Sequence, residues 1–134
     1  MAMPLSGKLL PEMGSLVRRG EIRWVDLEPG GSHRGPEANK RRPAVIVSND
    51  RANAVTERLG RGVVTIVPLT SNVDRIYPFQ ALVRTIDSGL PSDSKAHAEH
   101  VRTVSIERVG PLLGRVPVAT MAALDDALRL HLQL

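Results

Sequence analysis

The sequence predicts an α+β domain, a small and strongly bent antiparallel β-barrel, closed or half closed, with an amphipathic helix at its C-terminal end. Three observations predict it. Short β-branched runs, Ala44-Val45-Ile46-Val47 and Val63-Val64-Thr65-Ile66-Val67, are set apart by Pro, Gly and polar turns. The strands are joined mostly by loops, which disfavours a parallel βαβ design. Only the last segment carries a sustained helical period: Met121, Leu124, Leu128 and Leu132 recur at helical spacing with Ala127 beside them.

Taken in order, residues 1–17 are frequent in Gly, Pro and Ser and read as a flexible tail, leaving 18–134 as the domain. Glu21 to Leu27 reads as a strand, with Ile22 and Trp24 on one face and Arg23 and Val25 on the other. Glu28 to Pro36 forms no regular element and leads as a mobile loop into Lys40-Arg41-Arg42. Pro43 then takes the first position of a second strand, where it costs no interior ladder bond. Asp50 is the expected N-cap of a short helix that runs to Leu59 and ends at Gly60. The third strand, from Val63, is expected to end at Pro68, with Thr70-Ser71-Asn72 at its exit. Phe79 to Val83 is a fourth strand, and Asp87 to Pro91 a turn. Ala96 to Ser105 is one bent strand or two short ones, and Leu112 to Val116 another. Thr120 caps the final helix, unless Pro117 starts it earlier.

The whole is one core's worth of chain, 134 residues with 42% apolar and 24% charged side chains, which argues against wholesale disorder. There is no Cys, so disulfides, thiolate nucleophiles and Cys-based zinc sites are excluded. No apolar run approaches the roughly 18 residues of a membrane span, and no secretory leader is apparent, so a cytoplasmic protein is expected. The net charge of +4 is matched by residues 18–61 alone, which hold ten Lys/Arg against six Asp/Glu. A positive field concentrated in this way suits a polyanionic partner. Trp24, Tyr77 and Phe79 are the only aromatics, too few for a broad base-stacking platform, so any nucleic acid must be held by phosphate contacts and hydrogen bonds.

The available chemistry is narrow. Acyl-transfer and nucleotide-cradling motifs are missing. His97 and His100, three apart on an expected strand, fall on opposite faces with no third ligand near, so no metal site and no cofactor is expected. What remains is a guanidinium at a strand entrance, Arg42, and hydroxyls at a strand exit, Thr70 and Ser71. If those ends share a rim, their donors make a site for a phosphate or a phosphorane. The structural alternative is that Arg42 pairs with a carboxylate and Thr70 closes a turn.

Together these residues resemble the MazF/PemK family of toxin endoribonucleases. The matching features are Arg19-Gly20-Glu21-Ile22, Val25-Asp26-Leu27 and Pro29, then Arg42-Pro43-Ala44-Val45-Ile46-Val47-Ser48-Asn49-Asp50. Val67-Pro68-Leu69-Thr70-Ser71-Asn72 and Tyr77-Pro78-Phe79 follow, then Asp93-Ser94-Lys95, Glu99, Val101-Arg102-Thr103 and Gly114-Arg115-Val116. The resemblance implies an SH3-like barrel of the CcdB/PemK type, a homodimer, and metal-independent, sequence-specific cleavage of single-stranded RNA. It implies catalysis by Arg42 and Thr70, with Glu37 as base or as the group that orients Arg42. It implies RNA contacts at Ser94, Glu99 and His100. Apart from the resemblance, Lys40 and Arg41 are expected to hold flanking phosphates, and Ser71 and Asn72 are expected to contact RNA beside Thr70. The implied partner is a cognate antitoxin whose acidic, disordered segment covers Arg42. Two positions depart from the family pattern. Pro36 stands in Gly35-Pro36-Glu37 where Gly-Ser-Glu is usual, within a longer loop containing Ser32, and His100 stands where Gln is usual. Both bear on base specificity more than on the reaction. A non-enzymatic, CcdB-like toxin that binds a topoisomerase is the alternative, because fold alone does not decide function.

Overall fold

The computed structural model describes residues 16–27 and 41–134. It contains seven strands: β1 (Glu21–Asp26), β2 (Arg41–Ile46), β3 (Val63–Thr70), β4 (Gln80–Val83), β5 (Ser94–His97), β6 (Arg102–Ser105) and β7 (Val109–Arg115). Three α-helices accompany them: α1 (Asp50–Leu59), the single turn α2 (Thr85–Ser88) and α3 (Val118–Leu132). Every ladder is antiparallel. The sheet runs β4-β5-β3-β2-β1-β7, with β6 pairing β3 off this path. Among the described residues no ladder joins β4 to β7, so the sheet is open along its hydrogen bonds.

β3 organises the site because it changes partners along its length. One edge pairs with β2, Ile66 opposite Ile46 and Pro68 opposite Ala44. The other edge pairs with β6 as far as Ile66, then with β5 from Leu69. Pro68 therefore does not end the strand. Its missing N–H falls in the gap between the β6 and β5 ladders, where an interior proline removes least. Pro43 likewise lies inside β2, two residues past its start, opposite Trp24 and just ahead of the first β2–β3 pair.

Alternation along β2 and β3 gives the sheet a core on each face. Val45, Val67 and Leu69 join Ile22, Val83, Leu124 and Ala127 in the cluster that α3 covers. Ala44, Ile46, Val64 and Ile66 join Val17, Val25 and Val104 in the other. Burying each of the larger side chains contributes roughly 1.5–3 kcal/mol. Val17, the last residue of the expected tail, is thus part of a core, while residues 1–15 of that tail lie outside the described residues. In α3, Leu124 and Ala127 are fully covered, but Leu132 is 49% exposed: the apolar stripe outruns the sheet by one turn.

Local signals set the ends. Asn49, one residue earlier than expected, caps α1 by accepting from the Ala52 N–H at 2.8 Å, and Gly60 closes it at φ 71°. α3 starts after Pro117, not at Thr120. Residues 94–105 form two short strands around a 3₁₀ turn, Ala98–His100.

The Arg19-Gly20-Glu21 motif is structural. Glu21, 2% exposed, accepts from Arg23 Nε at 2.9 Å and from the Arg18 N–H at 3.0 Å, and meets Arg115 at 3.4 Å. Arg19 pairs with Asp125 of α3 and donates to the Val47 carbonyl at 3.0 Å. Part of the basic excess is therefore committed to holding β1 in place.

Candidate active site

Arg42 and Thr70 meet at one rim. Extending the β2–β3 register two residues past Ala44–Pro68 sets them opposite each other, on the same face as Ala44 and Ile66. They continue that face beyond the point where its apolar core ends. Both line two adjoining concavities. The first, about 220 Å³, is completed by Ser71, Ser94 and the Leu90–Ser92 turn. The second, about 290 Å³, is completed by Leu27, Pro68, His100 and Arg102. Arg42 is exposed and Thr70 half-buried, so a phosphate can reach both.

Thr70 is held from behind. Its backbone pairs with Lys95 of β5, which sets His97 on the diagonal, and its Oγ1 lies 2.7 Å from His97 Nε2. His97 Nδ1 lies 3.1 Å from Glu99 Oε2. Gln80, directly opposite His97 on β4, donates to the same Glu99 oxygen at 2.7 Å. The Gln80 amide is itself oriented by the Tyr77 N–H, which donates to its Oε1 at 3.0 Å. Burial pulls the Glu99 carboxyl toward protonation, but hydrogen bonds from Gln80 and His97 outweigh it and hold the group below the ordinary carboxylate range. Glu99 Oε1 is buried without a partner among the described residues. The string Thr70–His97–Glu99–Gln80 thus opens onto the concavities at one end and is closed by β4 at the other.

His97 and His100 do not point apart. The 3₁₀ turn between them rotates the chain so that the rings stack at 5.0 Å, 6° from parallel, with Glu99 as the third group beside them. These are donor types that cations use, but both nitrogens of His97 already face Thr70 and Glu99. No described residue other than His97 touches the Thr70 hydroxyl through its side chain, and the sequence reading left His97 out of the site.

The other expected residues divide. Ser71, Ser94 and His100 line the concavities with Arg42 and Thr70. Glu99 reaches them through His97. Arg41 does not join Arg42: strand alternation sends it to the opposite face, where its guanidinium lies 5.5 Å from the centre of the Trp24 ring. Asn72 closes a turn, accepting from the Asp74 N–H at 3.1 Å. Glu37 and Lys40 lie outside the described residues, as do Ser32 and Pro36. Arg102, not singled out for binding, adds a second cation to the larger concavity. Tyr77 and Phe79 stack face to face at 5.3 Å in the segment between β3 and β4.

A family model described as the PemK-like, MazF-like toxin of type II toxin–antitoxin systems matches residues 18–132. The chain belongs to this toxin family. It is 56% identical over 119 residues to endoribonuclease MazF9 of Mycobacterium tuberculosis, covering 89% of this chain and 98% of the relative. It is 29% identical over 120 residues to endoribonuclease MazF6 of the same organism. A mycobacterial endoribonuclease solved in complex with its cognate antitoxin superposes with a TM-score of 0.68 at 28% identity, over 88% of this chain and 96% of that one. MazF from Deinococcus radiodurans superposes at 0.67 and 25% identity, over 89% and 98%. The named activities of its relatives do not favour the topoisomerase-binding alternative.

Proposed function

We propose that this chain is the endoribonuclease toxin of a type II toxin–antitoxin pair, cutting single-stranded RNA at a phosphate held between Arg42 and Thr70. The observation that carries the reading is that, among the described residues, these two side chains and no others border both concavities of the rim. Its relatives' names support the reaction class. The nucleophile is the substrate's own 2′-hydroxyl, so no protein nucleophile is required, and no metal is needed to generate one.

The 2′-oxygen attacks the adjacent phosphorus as the bond to the 5′-oxygen breaks, leaving a 2′,3′-cyclic phosphate and a 5′-oxygen that takes a proton from water to become the 5′-hydroxyl. Arg42, too weak an acid to serve as a base, lies against the phosphorane as its charge grows. Thr70 donates to a non-bridging oxygen. Glu37 takes the 2′-proton or orients Arg42. Ser71 and Ser94 on one side, and His100 and Arg102 on the other, suit the nucleotides that flank the cut; Asn72 stands one residue further along. Lys40 and Arg41 hold neighbouring phosphates, Arg41 from the Trp24 face, and make binding salt-sensitive. Pro36 and His100 tune base choice. The remaining features belong to the same reading: a domain over 18–134 with SH3-like, barrel-type curvature, a cytoplasmic homodimer, and an antitoxin whose acidic segment folds across the rim and covers Arg42.

Cleavage of a transcript pool, with the new ends mapped, tests the reading. Cyclic phosphate ends are expected, as is complete resistance of a substrate carrying one 2′-deoxy sugar at the cut. Cleavage of that deoxy substrate overturns it.

A further inference from the structure

Thr70 carries one hydroxyl proton, and what faces that hydroxyl from behind decides where the proton goes. We propose that His97 is a positioning residue that aims the Thr70 hydroxyl: protonated, it turns Thr70 into a donor toward the substrate phosphate; neutral, it takes that donation for itself. This rests on the nuclease reading above and deepens it.

Two groups face His97 Nδ1: the Glu99 carboxylate at 3.1 Å, which can only accept, and the Gln80 amide nitrogen at 3.3 Å, a donor already engaged with Glu99 at 2.7 Å. The carboxylate is charged and nearer, so the tautomer we assign places a hydrogen on Nδ1. In neutral imidazole the other nitrogen then has a lone pair, and at 2.7 Å it accepts from Thr70 Oγ1. In that state Thr70 offers a phosphate only lone pairs, which repel an anion. When His97 takes one proton from solvent at Nε2, that N–H donates to Thr70 Oγ1. The hydroxyl then rotates and its proton faces the rim. The imidazolium also sets a positive charge one residue behind the phosphorane, balanced by the Glu99 carboxylate, whose Oε2 faces His97 and whose Oε1 has no partner among the described residues. The register built this device: Thr70, His97 and Gln80 share one face of three neighbouring strands, and the 3₁₀ turn brings Glu99 beneath them.

Among the described residues, the groups around His97 are few. Glu99 and Gln80 face Nδ1, the His100 ring stacks on it, and Arg42 and Arg102 lie across the larger concavity. The helix α3 backs the turn with Leu124 and Ala127, which carry no charge. Among the described residues His100 is thus the one neighbouring imidazole from which the effect must be separated.

The test is kcat against pH between about 5.5 and 8.5 for the full chain on a defined RNA, with the His97 tautomer read by long-range ¹H–¹⁵N correlation on the same protein. The expected kcat falls with rising pH along a single-proton limb, and neutral His97 shows Nδ1–H. His97→Phe loses about tenfold in kcat at the acid end with little change in KM, and its limb disappears. His97→Gln regains part of the rate without the limb. Thr70→Val also lacks the limb, whereas His100→Gln keeps it. A neutral His97 bearing Nε2–H, a wild-type profile without the limb, or a limb that survives in His97→Phe or His97→Gln overturns the proposal. If the wild-type chain cuts no RNA at any pH, the nuclease reading fails, and the tautomer alone still decides whether Thr70 donates to His97.

Discussion

Two buried polar networks hang from this sheet, and they differ in how they end. At the start of β1, Glu21 gathers Arg23, the Arg18 N–H and Arg115, and Arg23 runs on to the carbonyls of Gly110 and Leu16. All of those partners belong to the protein. On the far side of β3, the string from Gln80 through Glu99 and His97 reaches Thr70 and stops at a concavity. The chemistry is alike, carboxylate with nitrogen donors under low exposure. A network closed on itself fixes a strand, while one whose last hydroxyl faces solvent is prepared for a ligand.

One substitution in the closed network and one at the rim where the open network ends separate the two roles. Glu21→Ala removes the buried carboxylate that gathers Arg23, the Arg18 N–H and Arg115, and lowers unfolding stability by about 3 kcal/mol, while the folded fraction keeps its cleavage rate; urea unfolding and initial rates on the same sample check both. Arg42→Ala does the reverse, losing at least about a hundredfold in cleavage rate, or about 2.7 kcal/mol of transition-state stabilisation, with an unchanged unfolding midpoint. Gly114→Ala probes the packing of β7 beside the closed network and away from the rim: a Cβ there would sit 2.0 Å from the Ser88 carbonyl oxygen, so a loss of about 2 kcal/mol in thermal unfolding is expected at an unaltered per-molecule rate. The smallest effect is acid-linked. Because the Glu99 carboxyl is held below its ordinary 4.5 in the folded chain, its contribution to stability is complete above that value and fades as pH falls through the lowered one. Glu99→Gln should flatten this part of the stability-versus-pH curve, and a curve identical to wild type contradicts the assignment.

The contrast between the networks also explains what the sequence could and could not disclose. Strand runs, Gly60 and the α3 stripe are local signals, and they mark the elements to within a few residues. Arg42 and Thr70 stood out because each sits at the end of such a run. Pro43 and Pro68 misled as boundaries because a proline inside a strand is tolerated where one ladder is missing, and only the tertiary pairing reveals that gap. Arg41 was grouped with Arg42 by charge, although strand alternation parts them. His97 was assigned to an open strand and set opposite His100, whereas one 3₁₀ turn brings the rings together. Its contact with Thr70 spans 27 positions and depends on the β3–β5 register, which no local pattern encodes. The closed network was legible only as a motif of charges; that Glu21 is buried follows from β7 and its neighbours packing over it.

The central claim is that Arg42 and Thr70 act on one and the same phosphate without a metal. Single-turnover cleavage of a defined RNA in EDTA, by wild type, Arg42→Ala, Thr70→Ala and the double variant, tests it most directly. Wild type is expected to keep full activity, the singles to lose about a hundredfold and about tenfold, and the double variant to be less impaired than their product, because the two donors share one charge. Wild-type cleavage that returns only with Mg²⁺, or an Arg42→Ala variant that cuts at the normal rate, would contradict it.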